Sequence, residues 1–293
     1  MIFKGSGVAL VTPFTNDKVD YHKLERLIEW HLDMGTDALV VVGTTGEAAT
    51  LSQNERKEII KFTVKKVKKQ IPVIAGTGNN STRVTIELSK DAEAAGADGL
   101  LIVTPYYNKP TQEGLYEHFK LVAKNTSLPI IIYNVPGRTS VNIKPYTVLK
   151  LSQIKNIVGI KEASGDIGQV AEIASLCPKG FAIYSGNDDQ IVPILSLGGM
   201  GVISVLANIL PKEVHNIFIN YFEGKTKEAA EKQLASIDLI KALFIETNPI
   251  PIKAAMNLMG MDVGSVRLPL TKMSEHNENV LKNAMKEMGL IDD

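Results

Sequence analysis

Short apolar runs, each followed by hydroxyl, amide or charged residues, recur at 7–11, 38–42, 73–75, 99–103, 130–132, 157–160, 181–184 and 201–205. Several are continuous rather than alternating, the pattern of parallel strands covered on both faces. Between them lie stretches with apolar residues at helical spacing. Leu24, Leu27, Ile28 and His31 share one side of 22–34, and Ile59, Ile60, Val64 and Val67 one side of 53–69. Gly35, Gly96 and Gly180 fall where such helices stop. Eight strand–helix units predict an α/β chain, a (β/α)8 TIM barrel over 1–224 with a C-terminal helical region over 225–293. An open doubly wound sheet is the competing arrangement. Its best support, Gly76-Thr77-Gly78-Asn79-Asn80-Ser81, lacks the third glycine and the downstream acidic residue of a dinucleotide fingerprint, and reads as a turn.

In a barrel the C-terminal strand ends converge on one rim, where active sites of this architecture sit. The ends here are Thr12, Thr44-Thr45-Gly46-Glu47, Thr77, Thr104-Pro105-Tyr106-Tyr107, Tyr133-Asn134, Lys161-Glu162, Ser185-Gly186-Asn187 and Ser204. Alternation sorts them: if Val158 and Ile160 face the helices, Gly159 and Lys161 face inward. Tyr133 then shares the parity of Ile131, and Thr44 that of Val40 and Val42. Taken singly, Lys161 is a solvated strand-end lysine, Tyr133 a core tyrosine and Arg138 a surface-loop arginine. Brought together, they describe a carbonyl-reactive amine, because burial disfavours the ammonium and leaves a nucleophile. A phenol beside it would move protons, and a guanidinium would hold a carboxylate.

Composition narrows the partners. A formal net charge of +0 and a pI near 7.0 remove the basic excess of a nucleic-acid binder. Cys177, expected to be a small buried residue, is the single cysteine, so no intramolecular disulfide or multi-cysteine metal site is expected. His22, His31, His118, His215 and His276 include no pair at i, i+4, and no metal is expected. No apolar stretch approaches the roughly 18–20 residues that span a membrane. The N-terminus reaches a polar turn at Thr15-Asn16-Asp17 without a signal-peptide core, so a cytoplasmic protein is expected.

Several spaced motifs together resemble the dihydrodipicolinate synthase family, within the pyruvate-dependent class I aldolase and N-acetylneuraminate lyase superfamily. They are Val42-Gly43-Thr44-Thr45-Gly46-Glu47, Thr104-Pro105-Tyr106-Tyr107, Tyr133-Asn134-Val135-Pro136-Gly137-Arg138-Thr139 and Gly159-Ile160-Lys161-Glu162. Asn248-Pro249-Ile250-Pro251-Ile252-Lys253 and Arg267-Leu268-Pro269-Leu270 extend the likeness nearly to the end of the chain. The resemblance implies condensation of pyruvate with L-aspartate 4-semialdehyde, in the diaminopimelate route to lysine, with no cofactor beyond a Schiff base on Lys161. It implies a proton relay of Tyr133, Thr44 and Tyr107, the last from a neighbouring subunit of a dimer usually paired into a tetramer. Arg138 would bind substrate carboxylate, and Thr45 with the backbone near Gly186 and Ile203 would orient pyruvate. N-acetylneuraminate lyase, 2-keto-3-deoxy sugar acid aldolase and a non-catalytic keto-acid-binding barrel remain alternatives; Thr44-Thr45 and Arg138 favour the synthase. Gln53, Arg56 and Val84 stand where lysine-inhibited members bind the effector, and a cation without a carboxylate there implies weak or absent inhibition by lysine.

Overall fold

A computed structural model describes residues 1–292. Its strands are β1 (Gly5–Ala9), β2 (Phe14–Thr15), β3 (Lys18–Val19), β4 (Ala38–Val41), β5 (Val73–Gly76), β6 (Gly99–Val103), β7 (Ile130–Asn134), β8 (Ile157–Glu162), β9 (Ala182–Ser185) and β10 (Gly201–Ser204). All except β2 and β3 pair in parallel in the order β1-β10-β9-β8-β7-β6-β5-β4, and β4 returns to β1 to close a barrel. Helices follow the barrel strands, giving the (β/α)8 architecture that the apolar runs predict. Among the described residues no helix is long and apolar enough to cross a membrane.

The pleat divides the side chains into two apolar groups. Ile131, Tyr133, Tyr184 and Ile203 point inward with Phe3 and Val40, while Ile130, Ile132 and Ile160 pack under the helices. Phe3 stacks on Tyr184 with ring centroids 4.5 Å apart, and the Tyr184 hydroxyl donates to the Phe3 carbonyl at 2.8 Å. β7 and β8 continue past their apolar runs to Asn134 and Glu162 because those polar ends satisfy each other. The Asn134 amide donates to both Glu162 carboxylate oxygens, at 3.0 and 3.1 Å, and Gln169 Nε2 donates to the same carboxylate at 3.1 Å.

Alternation slips in β8, where the register against β7 shifts and Ile157 joins Ile160 on the helix side, and it fails again after β4. β4 stops at Val41, and Val42 takes φ +49°, which returns its side chain to the helix-facing layer. Thr44 therefore does not inherit its direction from Val42 as strand parity predicts; the turn aims it. Residues 15–17 are more than a turn. Asn16 and Asp17, at φ +50° and +60°, link β2 and β3 as an antiparallel hairpin with the left-handed conformations such links require.

The first two amphipathic stretches form helices Tyr21–Asp33 and Gln53–Val67, started by side-chain caps. Asp20 accepts from the Lys23 amide at 3.0 Å, and Ser52 with Glu55 makes a reciprocal capping box. Cys177 is half-buried rather than buried. Helices Thr226–Ala235, Ile237–Leu243, Ile250–Leu258 and Glu275–Glu287 carry the chain to its end. The segment holding Asn248, Lys253 and Arg267 folds back onto the turn after β4, bonding Thr45 and Glu47.

Candidate active site

β7 and β8 run side by side with Tyr133 directly opposite Lys161. Both side chains are buried, and the Lys161 amine lies over the Tyr133 ring, 4.3 Å from its centroid. A cavity of about 200 Å³ opens beside them, lined also by Thr44, Thr45, Arg138, Gly186 and Asn248. It borders a larger space of about 330 Å³ that shares Thr44, Tyr133, Arg138 and Asn248 and extends outward to Arg56 and Tyr106. Burial lowers the Lys161 pKa from 10.5 to about 7, against the pull of the Asp188 carboxylate and with help from the Arg138 charge. Burial raises the Tyr133 phenol, while Arg138 and a hydrogen bond with Thr44 draw it back. At neutral pH the site thus pairs an amine that is about half deprotonated with a protonated phenol.

Arg138 sits on the one-turn helix Pro136–Thr139, which starts with a proline at its first position. Its Nη2 donates to the Asn248 carbonyl at 3.2 Å, and the Asn248 side-chain nitrogen donates to Thr45 Oγ1 at 2.9 Å. One residue from the C-terminal segment therefore touches two of the groups named from sequence. Asp188 is a second residue that local pattern does not reveal. It lies just past the Ser185-Gly186-Asn187 strand end and accepts from Ser204 Oγ at 2.5 Å and from the Val205 and Leu206 amides at 3.1 and 3.0 Å.

Gly186 is explained by the Lys161 stem. A Cβ there would lie 2.6 Å from Ala163 Cβ, 3.0 Å from Lys161 Cε and 3.1 Å from the Glu162 carbonyl oxygen. Gly186→Ala should displace the amine and slow Schiff-base formation with a keto acid by about 100-fold, the scale of an ångström-sized misplacement. Single-turnover borohydride trapping reads this directly; an unchanged trapping rate would count against the packing argument.

Behind the turn, Glu47 adopts φ +55° and its buried carboxylate meets the buried Lys253 amine at 2.8 Å. Lys253 Nζ also donates to the carbonyls of Thr12 at 3.0 Å and Ser265 at 2.7 Å, and the Arg267 amide donates to the other Glu47 oxygen at 2.9 Å. The Arg267 guanidinium pairs with Glu55 at 2.7 Å and lies over the Phe14 ring.

Other residues named from sequence stand elsewhere. Tyr107 is 88% exposed at φ +71° and does not line the cavity of its own chain. The Ile203 side chain is fully buried among the inward-facing residues, two before Val205, which lines the cavity. Three rim hydroxyls serve the fold: Thr12 donates to the Gly46 carbonyl at 2.8 Å, Thr77 pairs with Ser89 at 3.0 Å and Thr104 donates to Thr139 at 3.4 Å. Gln53, Arg56 and Val84 do share one small surface cavity, with Asn79 and Glu87. Glu87 brings a carboxylate to that neighbourhood, paired with Arg83 at 2.7 Å.

The chain is similar to known proteins over nearly its whole length. The profile of the Dihydrodipicolinate synthetase family matches residues 2–288. A 4-hydroxy-tetrahydrodipicolinate synthase of Clostridium novyi is 59% identical, across 97% of this chain and 96% of its own. The 4-hydroxy-tetrahydrodipicolinate synthase 1 of Clostridium acetobutylicum is 60% identical, across 99% of each. Among solved structures, dihydrodipicolinate synthase from Thermotoga maritima superposes with a TM-score of 0.97 at 47% identity, covering 99% of this chain and 100% of its own.

Proposed function

The chain belongs to the dihydrodipicolinate synthetase family, and from that membership we propose that it condenses pyruvate with L-aspartate 4-semialdehyde through a Schiff base on Lys161. The product is 4-hydroxy-tetrahydrodipicolinate, in the route to diaminopimelate and lysine. The observation that carries the assignment of the amine is its burial, which lowers the pKa to about 7. Near neutrality a large fraction is then neutral, whereas an ordinary lysine is almost wholly protonated and unreactive.

The amine attacks the pyruvate ketone to give a carbinolamine, and its oxygen takes a proton and leaves as water. The resulting iminium withdraws electrons, a methyl proton departs, and the enamine carbon attacks the semialdehyde carbonyl, whose oxygen is protonated; the iminium so re-formed is then attacked by the product's own amino group, which closes the ring and releases Lys161 as the free amine. Tyr133, kept protonated by burial, stands against the reacting nitrogen and exchanges these protons with Thr44. Tyr107 completes the relay from a neighbouring copy; its exposure and left-handed backbone support a ring directed away from its own site. Arg138 receives the semialdehyde carboxylate, and Thr45 with the backbone near Gly186 and Ile203 orients pyruvate. The working assembly is a homotetramer of paired dimers in the cytoplasm. No added cofactor is required, since the iminium is the electron sink.

Incubation with pyruvate, borohydride reduction and peptide mass analysis should place the adduct on Lys161, with a trapping rate that climbs through pH 7 and levels above about pH 8. The base must lose its proton to react, so the rate is lost as pH falls below the pKa of about 7. An adduct elsewhere, or none, removes the proposed chemistry. Turnover with aspartate semialdehyde but not with N-acetylmannosamine or glyceraldehyde then separates the synthase from the sugar-acid aldolases.

A further inference from the structure

Asp188 is a buried carboxylate whose surroundings fix its charge. One oxygen accepts from Ser204 Oγ at 2.5 Å, and the other from the Val205 and Leu206 amides at 3.1 and 3.0 Å. Ser204 Oγ in turn accepts from the Ala207 amide at 2.8 Å, which leaves its own proton to point at the carboxylate. Three successive amides, two directly and one through the serine, thus aim donors at Asp188. A backbone amide can only donate, so this setting selects the ionised acid. Burial pushes the acid upward in pKa, and these donors together with the Lys161 charge pull it back.

The carboxylate stands on the Lys161 side of the barrel. Tyr184 on β9 is the register partner of Lys161, the Gly186 position closes on Lys161 Cε, and Val205 lines the same cavity as the amine. The charges that act on the amine are Asp188, just after β9, and Arg138, just after β7, while the Tyr133 phenol faces it from β7. All the hydrogen bonds of Asp188 go to the end of β10 and the turn beyond, so it acts on the amine as a fixed charge across space.

The geometry points to Asp188 as the positioning residue that stabilises the cationic nitrogen of the Schiff base once the amine has reacted. This rests on the reaction proposed above. For the free amine the carboxylate is a handicap, because an anion nearby holds the proton that must leave before attack. After water is lost the requirement reverses. The nitrogen must then stay protonated, since only an iminium draws electrons from the pyruvate methyl carbon. That cation occupies the desolvated place that favoured the neutral amine, and Arg138 repels it as well. Pyruvate brings a carboxylate of its own, but Asp188 supplies an anion that is in place throughout, held by donors that need no rearrangement when the charge appears.

Asp188→Asn removes the charge and keeps the shape: the new oxygen can take the Val205 and Leu206 amides while the nitrogen donates to Ser204 Oγ. At about pH 8 the Lys161 amine is mostly neutral with or without the carboxylate, so pyruvate binding there compares the iminium alone. Titration calorimetry should give a pyruvate Kd raised about tenfold or more in the variant, the scale of one pKa unit. The free amine responds in the opposite sense. Without the carboxylate its ammonium is less favoured, so the midpoint of the initial borohydride-trapping rate should move from about pH 7 to lower pH by about one unit. Weaker binding with an unmoved midpoint would show that the variant has only disturbed the shape of the site, and an unchanged Kd would show that the charge does not reach the iminium; either overturns the assignment. Should Asp188→Asn fail to fold, wild type alone decides: carbon NMR of bound pyruvate labelled at its ketone should report a protonated iminium at about pH 8, and a neutral imine overturns the proposal. No adduct at all in wild type removes the Schiff-base chemistry together with this inference, whereas an adduct insensitive to Asp188→Asn removes only the role of Asp188.

Discussion

Lys161→Met should abolish the pyruvate adduct, lower kcat/KM by at least about four orders of magnitude, and at the same time make the protein more stable. The loss of activity follows from removing the nucleophile. The gain in stability follows from the same burial that makes it reactive. The amine has a pKa of about 7 when folded, against an ordinary value of 10.5. Between those values the unfolded chain binds a proton that the folded chain does not, so stability rises with pH across that window. Below about pH 7 the full penalty is present; above about pH 10.5 it is gone. Methionine fills similar space without a charge, and Asp188 keeps three hydrogen bonds from Ser204, Val205 and Leu206 when the amine is removed. A gain of roughly 1–4 kcal/mol at pH 7, as found when apolar groups replace buried charges, is expected. Denaturant midpoints at pH 7 and pH 10 should show the advantage of Lys161→Met shrinking as pH rises. A variant less stable than wild type at pH 7 would show that the lysine is not held at a cost.

Lys253→Met acts in the opposite sense. It leaves the buried Glu47 Oε1 without its 2.8 Å partner and removes the donor from the Thr12 and Ser265 carbonyls. Breaking one half of a buried pair costs about 3–5 kcal/mol, which for a chain of this length lowers Tm by roughly 5–8 °C. Adding Glu47→Gln removes the stranded charge and should recover part of the loss, because the two positions are coupled. Thermal unfolding of the single and double variants measures this. A double variant with the full sum of the two single losses would show that the pair does not act as a unit. With Thr44 and Thr45 less well held, the single variant should also lose kcat more than it loses Schiff-base trapping.

These two lysines show what is legible in a sequence. Lys161 stands at the end of an apolar run, and one-residue alternation carries its direction from Gly159; Tyr133 follows from Ile131 in the same way. All eight barrel strands rest on such local patterns and appear within two residues of where they are expected. Thr44 is where local reasoning stops, because the left-handed Val42 breaks the alternation one residue after β4 ends. Asn248, Asp188 and Lys253 lie beyond it altogether. For Asn248 and Lys253 the partners are distant in the chain: Thr45 is 203 residues from Asn248 and Glu47 is 206 from Lys253. No periodicity encodes a bond of that span. The polar strand ends suggested a shared rim, but only packing separates Thr12, Thr77 and Thr104, used in the fold, from Thr44 and Thr45, which face the cavity.

The return of residues 248–267 onto the turn after β4 has a consequence for the order of synthesis. A ribosome delivers β7 and β8, and with them the facing Tyr133 and Lys161, well before it delivers Asn248, Lys253 and Arg267. The reactive amine is encoded well before the residues that fasten the turn serving it. A nascent chain can therefore close its barrel before its mouth is organised, and competence is withheld until residues 248–267 have emerged.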